Sequence, residues 1–222
     1  MKKKTLKGGP TPDDEFEMLL FVLNQEVLFA RIHLQVARQL AKKASEKPQV
    51  LHCAPNFFAF TFRAHIESAY GRAGRLFDTR SGTVTIQAML RFAEQKAAKF
   101  QFATPSEVRG KIGAWGGLIK SAQPLLERLR ELRNGLIAHW DSKVVLDPVK
   151  MSSVIAVTFD DVEKIVAIAK EITDDALDSY NRSVYVDELI TPEDIEEVFR
   201  IIEASGIYPK GSATVGFICP TI

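Results

Sequence analysis

The residues most capable of chemistry lie in one short segment, residues 127–141, which reads ERLRELRNGLIAHWD. Arg133 is followed directly by Asn134 and, further along, by His139. A guanidinium binds anions through a planar set of donors, and an imidazole exchanges a proton near neutral pH. The segment is therefore the first candidate for a functional site.

A helix through this segment would hold Arg133 and His139 apart. The helix is predicted by a stripe of leucines at helical spacing, Leu125, Leu129, Leu132 and Leu136. On an ideal helix, His139 lies roughly 50° to one side of this stripe and Arg133 roughly 70° to the other, about 120° apart. Spacing alone thus favours a structural interpretation, in which His139 closes a helix and Arg133 pairs with a carboxylate.

Other motifs of enzymes and metal sites do not occur in the sequence. There is no phosphate-binding loop, no dinucleotide fingerprint and no paired-histidine zinc motif. Cys53 beside His52 comes nearest to a metal-binding pair, but no further ligand stands at a suitable spacing. We therefore expect no metal and no cofactor.

The composition is that of a soluble globular protein, with 46% hydrophobic and 26% charged residues, and it excludes a collagen-like, mucin-like or wholly disordered chain. No apolar run reaches the length of about 18 residues that a transmembrane helix needs. The basic start lacks the apolar stretch of a secretory signal, and the two distant cysteines fit no disulfide framework. We expect a cytoplasmic protein that does not enter a membrane.

The net charge of +1 hides a strong asymmetry along the chain. Residues 1–134 hold 22 Lys or Arg and 12 Asp or Glu, a net +10, whereas residues 135–222 hold 7 and 16, a net −9. A basic half attracts polyanions such as nucleic acid, and it attracts the acidic half of the same chain or of a partner equally well. Charge alone slightly favours the second interpretation.

Helical periodicity and helix-start signals predict an all-α fold, a single bundle of about six to seven helices. The predicted helices cover about residues 13–47, 55–77, 83–100, 105–123, 124–140, 159–180 and 192–205. Phe57, Phe58, Phe60 and Phe62 are predicted to be core residues, with a dimer surface as the alternative. The glycines at 110, 113, 116 and 117 predict a soft or closely packed stretch.

We divide the chain into three parts. Residues 1–12 are predicted to be a flexible basic lead, and residues 13–182 the helical bundle. Residues 183–222 are predicted to add a C-terminal helix and an irregular tail that pack on the bundle.

The Arg–His pattern of this segment resembles the signature of HEPN domains. It consists of Arg133, five residues that begin with the polar Asn134, and then His139. RN at 133–134, AHWD at 138–141 and RLFD at 75–78 resemble the HEPN branch linked to abortive phage infection, the U-type proteins. The similarity extends over about residues 15–180.

The resemblance implies a HEPN-type helical bundle that forms a homodimer and acts as a metal-independent endoribonuclease. A symmetric dimer could bring two copies of Arg133 and His139 into one cleft, which would overcome their separation on the helix. His139 would transfer the proton of a ribose 2′-hydroxyl, Arg133 would stabilise charge on the phosphoryl oxygens, and Asn134 would orient one of these groups. RNA is the expected substrate, and the setting would be antiviral defence or a toxin–antitoxin pair.

Four further residues are assigned supporting or substrate-binding roles through the resemblance. They are Arg130, Asp141, Arg75 and Asp78. Asp141 occupies the position where related toxins controlled by a nucleotidyltransferase antitoxin carry an adenylylated tyrosine. We therefore do not expect that form of regulation, although an antitoxin or regulator protein stays open as a partner.

Two alternatives to an enzyme stay open at this point. The first is a non-catalytic HEPN module that binds RNA, a nucleotide or a protein partner, because a fold does not determine its function. The second is a structural dimerisation protein with the aromatic second helix as its seam.

Overall fold

The structure is a computed structural model that describes residues 12–80, 82–134, 157–182 and 192–206. Within these ranges the chain forms helices and no strand. The eight α-helices are α1 (Pro12–Glu46), α2 (Pro48–Leu51), α3 (Pro55–Leu76), α4 (Ile86–Gln95), α5 (Pro105–Ser121), α6 (Gln123–Leu132), α7 (Phe159–Asn181) and α8 (Pro192–Ser205). The prediction of an all-α bundle is confirmed. The eighth helix, one more than predicted, is the single turn α2.

The long helix α1 is the element on which the others assemble. It packs most extensively against α3 and also contacts α2, α4, α7 and α8. Its buried residues recur at helical spacing and include Phe16, Leu20, Leu23, Val27, Ala30, Leu34 and Ala37. This periodicity gives α1 one apolar side, which lies in the common core.

Glu15–Glu46 of α1 is, among the described residues, the one helical stretch long and apolar enough to cross a membrane. The sequence predicts no such helix when only continuous apolar runs are counted, whereas the mean hydropathy of this stretch, 1.2, reaches that of a membrane span. In the structure 44% of that window is buried inside the protein. Length and hydropathy do not distinguish a membrane helix from a core helix, and here the apolar side of α1 packs against α3 and α7.

Several helices begin at side-chain caps that the sequence indicates. Thr104 accepts a hydrogen bond from the Glu107 backbone N–H, and the Glu107 carboxylate accepts one from the Thr104 backbone N–H. Thr158 and Asp161 form the same reciprocal box at the start of α7. Each box satisfies backbone donors that have no partner within the helix, and so fixes where the helix begins.

Two of the four phenylalanines predicted as core residues are instead exposed. Phe58 and Phe62 are buried, whereas Phe57 is 64% exposed and Phe60 70%. Positions 58 and 62 are one turn apart and face the bundle, so positions 57 and 60 fall on the other side of α3. The prediction of a core role was wrong for Phe57 and Phe60, because it took aromatic composition without the helical register.

The glycines in α5 do not interrupt the helix or permit a close contact. α5 runs unbroken from Pro105 to Ser121, and a Cβ at Gly110, Gly113, Gly116 or Gly117 would meet nothing within 4 Å. Thr104, Pro105 and buried Val108, Trp115 and Ile119 hold the helix in place despite the low helix propensity of glycine. The predicted soft or closely packed stretch is an ordinary helix.

Ion pairs join the basic half of the chain to the acidic half. Lys43 Nζ lies 2.6 Å from Glu196 Oε2, and Lys47 Nζ lies 2.5 Å from Glu203 Oε1, which links α1 to α8. Arg38 of α1 lies 2.6 Å from Asp160 of α7. Part of the charge asymmetry is thus compensated within the chain. Buried Phe199 also anchors α8 through its stacking on Phe58.

Candidate functional site

Arg133 and Asn134 continue α6 in a π-helical turn. Leu126, Leu129 and Leu132 are buried and hold α6 against α3 and α7. Such wider turns recur at functional sites because they displace side chains from the regular helical positions. The buried leucines therefore fix the end of α6, where the Arg133 backbone still has right-handed helical dihedral angles (φ −60°, ψ −47°) and its N–H donates to the Leu129 carbonyl.

The Arg133 side chain is held by two neighbours. Its Nη1 donates to Asp78 Oδ2 at 3.2 Å, and its Nε and Nη2 both donate to Asn134 Oδ1 at 3.3 Å. Arg133 is only 9% exposed. A buried guanidinium needs a counter-charge and hydrogen-bond acceptors, and these contacts supply both.

Gly74 of α3 makes room for Arg133. A Cβ placed on Gly74 would lie 3.0 Å from Arg133 Cδ and 3.5 Å from its Nη1. The Arg133 side chain therefore passes so close to the α3 backbone that any side chain at position 74 would press against it. Gly74, the Arg75–Asp78 segment that follows it and the distant Arg133 meet at this point.

Asp78 has a second basic partner, Arg80. The Arg80 backbone N–H donates to Asp78 Oδ1 at 3.1 Å, and Arg80 Nη2 lies 3.2 Å from Oδ2. Burial by itself would raise the pKa of Asp78. The hydrogen bonds from Arg80 and the charges of Arg133 and Arg80 outweigh burial and hold this pKa below its ordinary value. Asp78 is thus a carboxylate at neutral pH.

These residues line an open groove of about 540 Å³. Its walls are formed by Val22, Glu26, Gly71, Arg75, Asp78, Arg80, Thr83, Val84 and Arg133. Glu26 of α1 accepts from Arg75 Nε at 3.1 Å and Nη2 at 2.9 Å, and from Arg72 Nη1 at 2.8 Å. The groove therefore presents several guanidinium groups, each paired with a carboxylate, to solvent.

The structure brings together four of the seven predicted site residues. Asn134 contacts Arg133, and Arg75, Asp78 and Arg133 line the same groove. Arg130 is half-buried and is not among the lining residues. His139 and Asp141 lie outside the described residues, so the predicted angle between Arg133 and His139 stays a prediction.

Sequence reasoning missed Arg80, Glu26 and Arg72. Arg80 follows Asp78 by two residues, and a turn in which an aspartate accepts from the backbone two positions on is a recognisable local signal. Glu26 and Arg72 meet only through the register of α1 against α3. A single sequence carries no signal for that register.

A second groove, of about 570 Å³, lies between α1 and α7. Its lining includes Arg31, Arg38, Lys42 and Lys170, but Arg38 pairs with Asp160 and Glu163 of α7. None of the predicted site residues that the structure describes lines this groove. The groove that holds Arg133 is therefore the stronger candidate site.

Two histidines form a direct pair between α1 and α3. His33 Nδ1 and His65 Nδ1 are 2.8 Å apart, so one ring donates a proton and the other accepts it. Burial lowers the pKa of both rings, and for His33 the charges of His65 and Arg72 lower it further. The pair needs at least one neutral ring, because two protonated rings would direct two protons at each other.

The HEPN family model for AbiU2 matches residues 13–200. The chain belongs to the AbiU2 family of HEPN proteins. No curated protein and no solved structure matches the chain. The family is that of the abortive-infection U-type proteins, so the resemblance carried by the RLFD, RN and AHWD segments is confirmed.

The AbiU2 fold joins two sequence segments that are far apart in the chain. Asp78 of RLFD and Arg133 of the Arg–His motif form an ion pair although 55 positions separate them. Both segments fall within the matched residues. The groove between them is the candidate functional site of this AbiU2 protein.

Proposed function

We propose that this AbiU2-family protein is a metal-independent endoribonuclease that acts in abortive infection in the cytoplasm. The observation that carries the proposal is the Arg133 guanidinium, held by Asp78 and Asn134 at the wall of an open groove. A guanidinium fixed in advance stabilises developing phosphoryl charge without reorganising during the reaction.

The proposed reaction is an intramolecular transesterification of RNA. The ribose 2′-oxygen forms a bond to the adjacent phosphorus, and the bond from phosphorus to the 5′-oxygen of the next nucleotide breaks. Either His139 accepts the 2′-hydroxyl proton and water protonates the departing 5′-oxygen, or water accepts the 2′-hydroxyl proton and a protonated His139 donates its proton to the 5′-oxygen; imidazole has a reference pKa near 6.5 that suits both roles. The products are a 2′,3′-cyclic phosphate and a 5′-hydroxyl.

Arg133 and Asn134 have separate roles in this scheme. Arg133 binds the non-bridging phosphoryl oxygens as their charge increases, because its planar donors match phosphate. The Asn134 carbonyl oxygen holds the Arg133 fork, which leaves its amide nitrogen to donate to the phosphate. No step calls for a metal, since the guanidinium supplies the positive charge.

The proposal also includes a homodimer and a regulator. A two-fold axis beside the groove would place Arg133 of one chain near His139 of the other, so that each site uses both chains. A ribonuclease that acts on cellular RNA requires restraint, and an antitoxin or regulator protein would provide it.

The first experiment is a cleavage assay in the presence of EDTA. Wild type, His139→Ala, Arg133→Gln and the control His52→Ala are incubated with tRNA and mRNA, and the ends are mapped. We expect wild type and His52→Ala to cut and to leave cyclic-phosphate ends, whereas the other two variants lose about 10²-fold or more in rate. Cutting by His139→Ala equal to that of wild type would refute the site.

A mixing experiment tests whether the site is shared between chains. His139→Ala and Arg133→Gln chains are unfolded together, refolded and assayed. If each site uses both chains, a mixed dimer contains one intact Arg133–His139 pair, and activity returns to a measurable fraction of wild type. No recovery in a demonstrated mixed dimer would place both residues of each site on one chain.

Tight RNA binding by folded wild type without cleavage would favour the non-catalytic module. A stable dimer with no affinity for RNA at low salt would favour the structural dimerisation protein.

A further inference from the structure

An arginine lies over an exposed aromatic ring beside the groove. The Arg72 guanidinium carbon is 4.8 Å from the centre of the Phe29 ring, and Phe29 is 38% exposed. Phe29 comes from α1 and Arg72 from α3, so the pair spans the seam between these helices. An exposed ring and a guanidinium plane are both surfaces on which nucleobases stack.

This pair is continuous with the groove through Glu26. The Glu26 carboxylate accepts from Arg72 with one oxygen and from Arg75 with the other, and both Glu26 and Arg75 line the groove. We use the term flank strip for Glu26, Phe29, Arg72 and Arg75. The strip extends from the groove that holds Arg133 along the α1–α3 seam.

We infer that the flank strip binds the nucleotide next to the cleaved phosphate, and that the RNA is single-stranded there. The base stacks on Phe29 and the Arg72 guanidinium, and Arg75 contacts the phosphate of the same nucleotide. A base inside a duplex has its faces covered by its neighbours and cannot stack on a side chain. This inference rests on the proposed function and adds the substrate class to it.

The charges of the strip support a weak and reversible contact with the backbone. Two arginines share one carboxylate, so the strip keeps a net charge of +1. Arg75 has a side chain 53% exposed, which leaves donors free to reach a phosphate. Glu26 holds both guanidinium groups in place and at the same time opposes the approach of an anion. Glu26→Gln is therefore expected to strengthen RNA binding.

The test measures RNA binding and not cleavage. All proteins carry His139→Ala, so that the RNA stays intact, and the probe is a labelled RNA oligonucleotide, either single-stranded or annealed to its complement. Phe29→Leu removes the ring but keeps an apolar side chain. The matched control is Phe102→Leu, because Phe102 is 46% exposed and carries Arg182 over its ring at 4.5 Å, yet does not line the groove.

We expect Phe29→Leu to weaken single-stranded RNA binding about tenfold and Phe102→Leu to leave it within about twofold. Arg75→Gln is expected to make the plot of log affinity against log salt concentration less steep by about one unit, because one phosphate contact is lost. The duplex should bind more weakly than the single strand and should not respond to Phe29→Leu.

Three results would overturn the inference. If the Phe29→Leu and Phe102→Leu proteins bind single-stranded RNA with equal affinity, Phe29 does not stack on a base. The proposed function would still stand in that case, because both proteins bind RNA. Loss of RNA affinity together with loss of self-association in sedimentation would make Phe29 a protein contact. Absence of RNA binding by the His139→Ala parent, if wild type also fails to cut, would refute the proposed function itself.

Discussion

Arg133 Nη1 and Asp78 Oδ2 are 3.2 Å apart, and this ion pair ties the end of α6 to the loop after α3. Both side chains are about 11% exposed, so water screens the pair only weakly. Asp78 also holds Arg80, and Arg133 also holds Asn134, which makes a short network at the groove. The network fixes a guanidinium whose natural partner, in the proposed reaction, is a phosphate.

Asp78→Asn tests the network directly. The change keeps the shape of the side chain but leaves Arg133 without its counter-charge, and we expect the free energy of unfolding to fall by about 2 kcal/mol. RNA cleavage should fall further than the loss of folded protein explains, because Arg133 is no longer held in position. Urea denaturation and single-turnover cleavage measure the two effects.

The same substitution has a signature at acid pH. Because the pKa of Asp78 is lower in the folded protein than in the unfolded chain, its stabilising contribution is complete above about pH 3.9 and is lost as pH falls through the folded value. Asp78→Asn lacks this part of the acid dependence. An identical acid dependence in both proteins would contradict a depressed Asp78 pKa.

Gly74→Ala tests how closely Arg133 passes α3. The new Cβ would lie 3.0 Å from Arg133 Cδ, so the arginine side chain must shift by a few tenths of an ångström. We expect stability to change by less than about 1 kcal/mol, because the better helix propensity of alanine offsets the tight contact. RNA cleavage should decrease about tenfold or more, since small misplacements of catalytic groups are costly.

Gly71→Ala is the matched control for that experiment. Its Cβ would lie 3.7 Å from Arg75 Nη1, an ordinary contact, although Gly71 lines the same groove. Cleavage by Gly71→Ala should stay close to that of wild type. An equal loss in both variants would show that the groove wall as a whole, and not the position of Arg133, is sensitive.

The His33–His65 pair predicts a loss of stability in weak acid. Both rings have a folded pKa below the reference value near 6.5, so the unfolded chain binds more protons than the folded chain as pH falls. The pair contributes its full stabilisation above about pH 6.5, and the contribution decreases as pH falls toward the folded values. Urea denaturation at pH 7.5 and pH 5.5 measures the difference.

His65→Gln should make that dependence less steep, because one titrating ring is removed from the α1–α3 seam. A slope unchanged by His65→Gln would assign the pH dependence to other groups.

Gly113→Ala should stabilise the protein. Gly113 is exposed within α5 and a Cβ there meets no neighbour, so alanine gains about 0.5–1 kcal/mol from its helix propensity. Gly82→Ala is the contrasting control, because Gly82 has φ of +78° and a side chain there is strained. Thermal unfolding should show opposite shifts in Tm for the two variants.

The sequence was most informative where local signals sufficed. The helices predicted from about residues 105 and 159 begin at Pro105 and Phe159, because the caps at Thr104 and Thr158 are local signals. The number of helices was close, because only the single turn α2 was too short to show a period. Fold class in an all-α chain therefore depends mainly on patterns within each helix.

The candidate site depends on contacts between helices, which local patterns do not contain. The family motif identified Arg133 and Asn134, and RLFD pointed to Asp78, but nothing in either segment predicted that the two would meet at Gly74. Glu26 and Arg72 were missed for the same reason. The exposure of Phe57 and Phe60 shows that aromatic content without helical register misassigns surface as core.

The position of α1 at the start of the bundle has a consequence for synthesis on the ribosome. Its apolar side is covered mainly by α3 and α7, and α7 ends at Asn181. While α7 is still inside the ribosome, the nascent chain therefore exposes apolar surface on α1 and is a target for chaperones. A translation product that stops before α7 would lack this part of the core. Premature termination should therefore yield protein that is degraded rather than active.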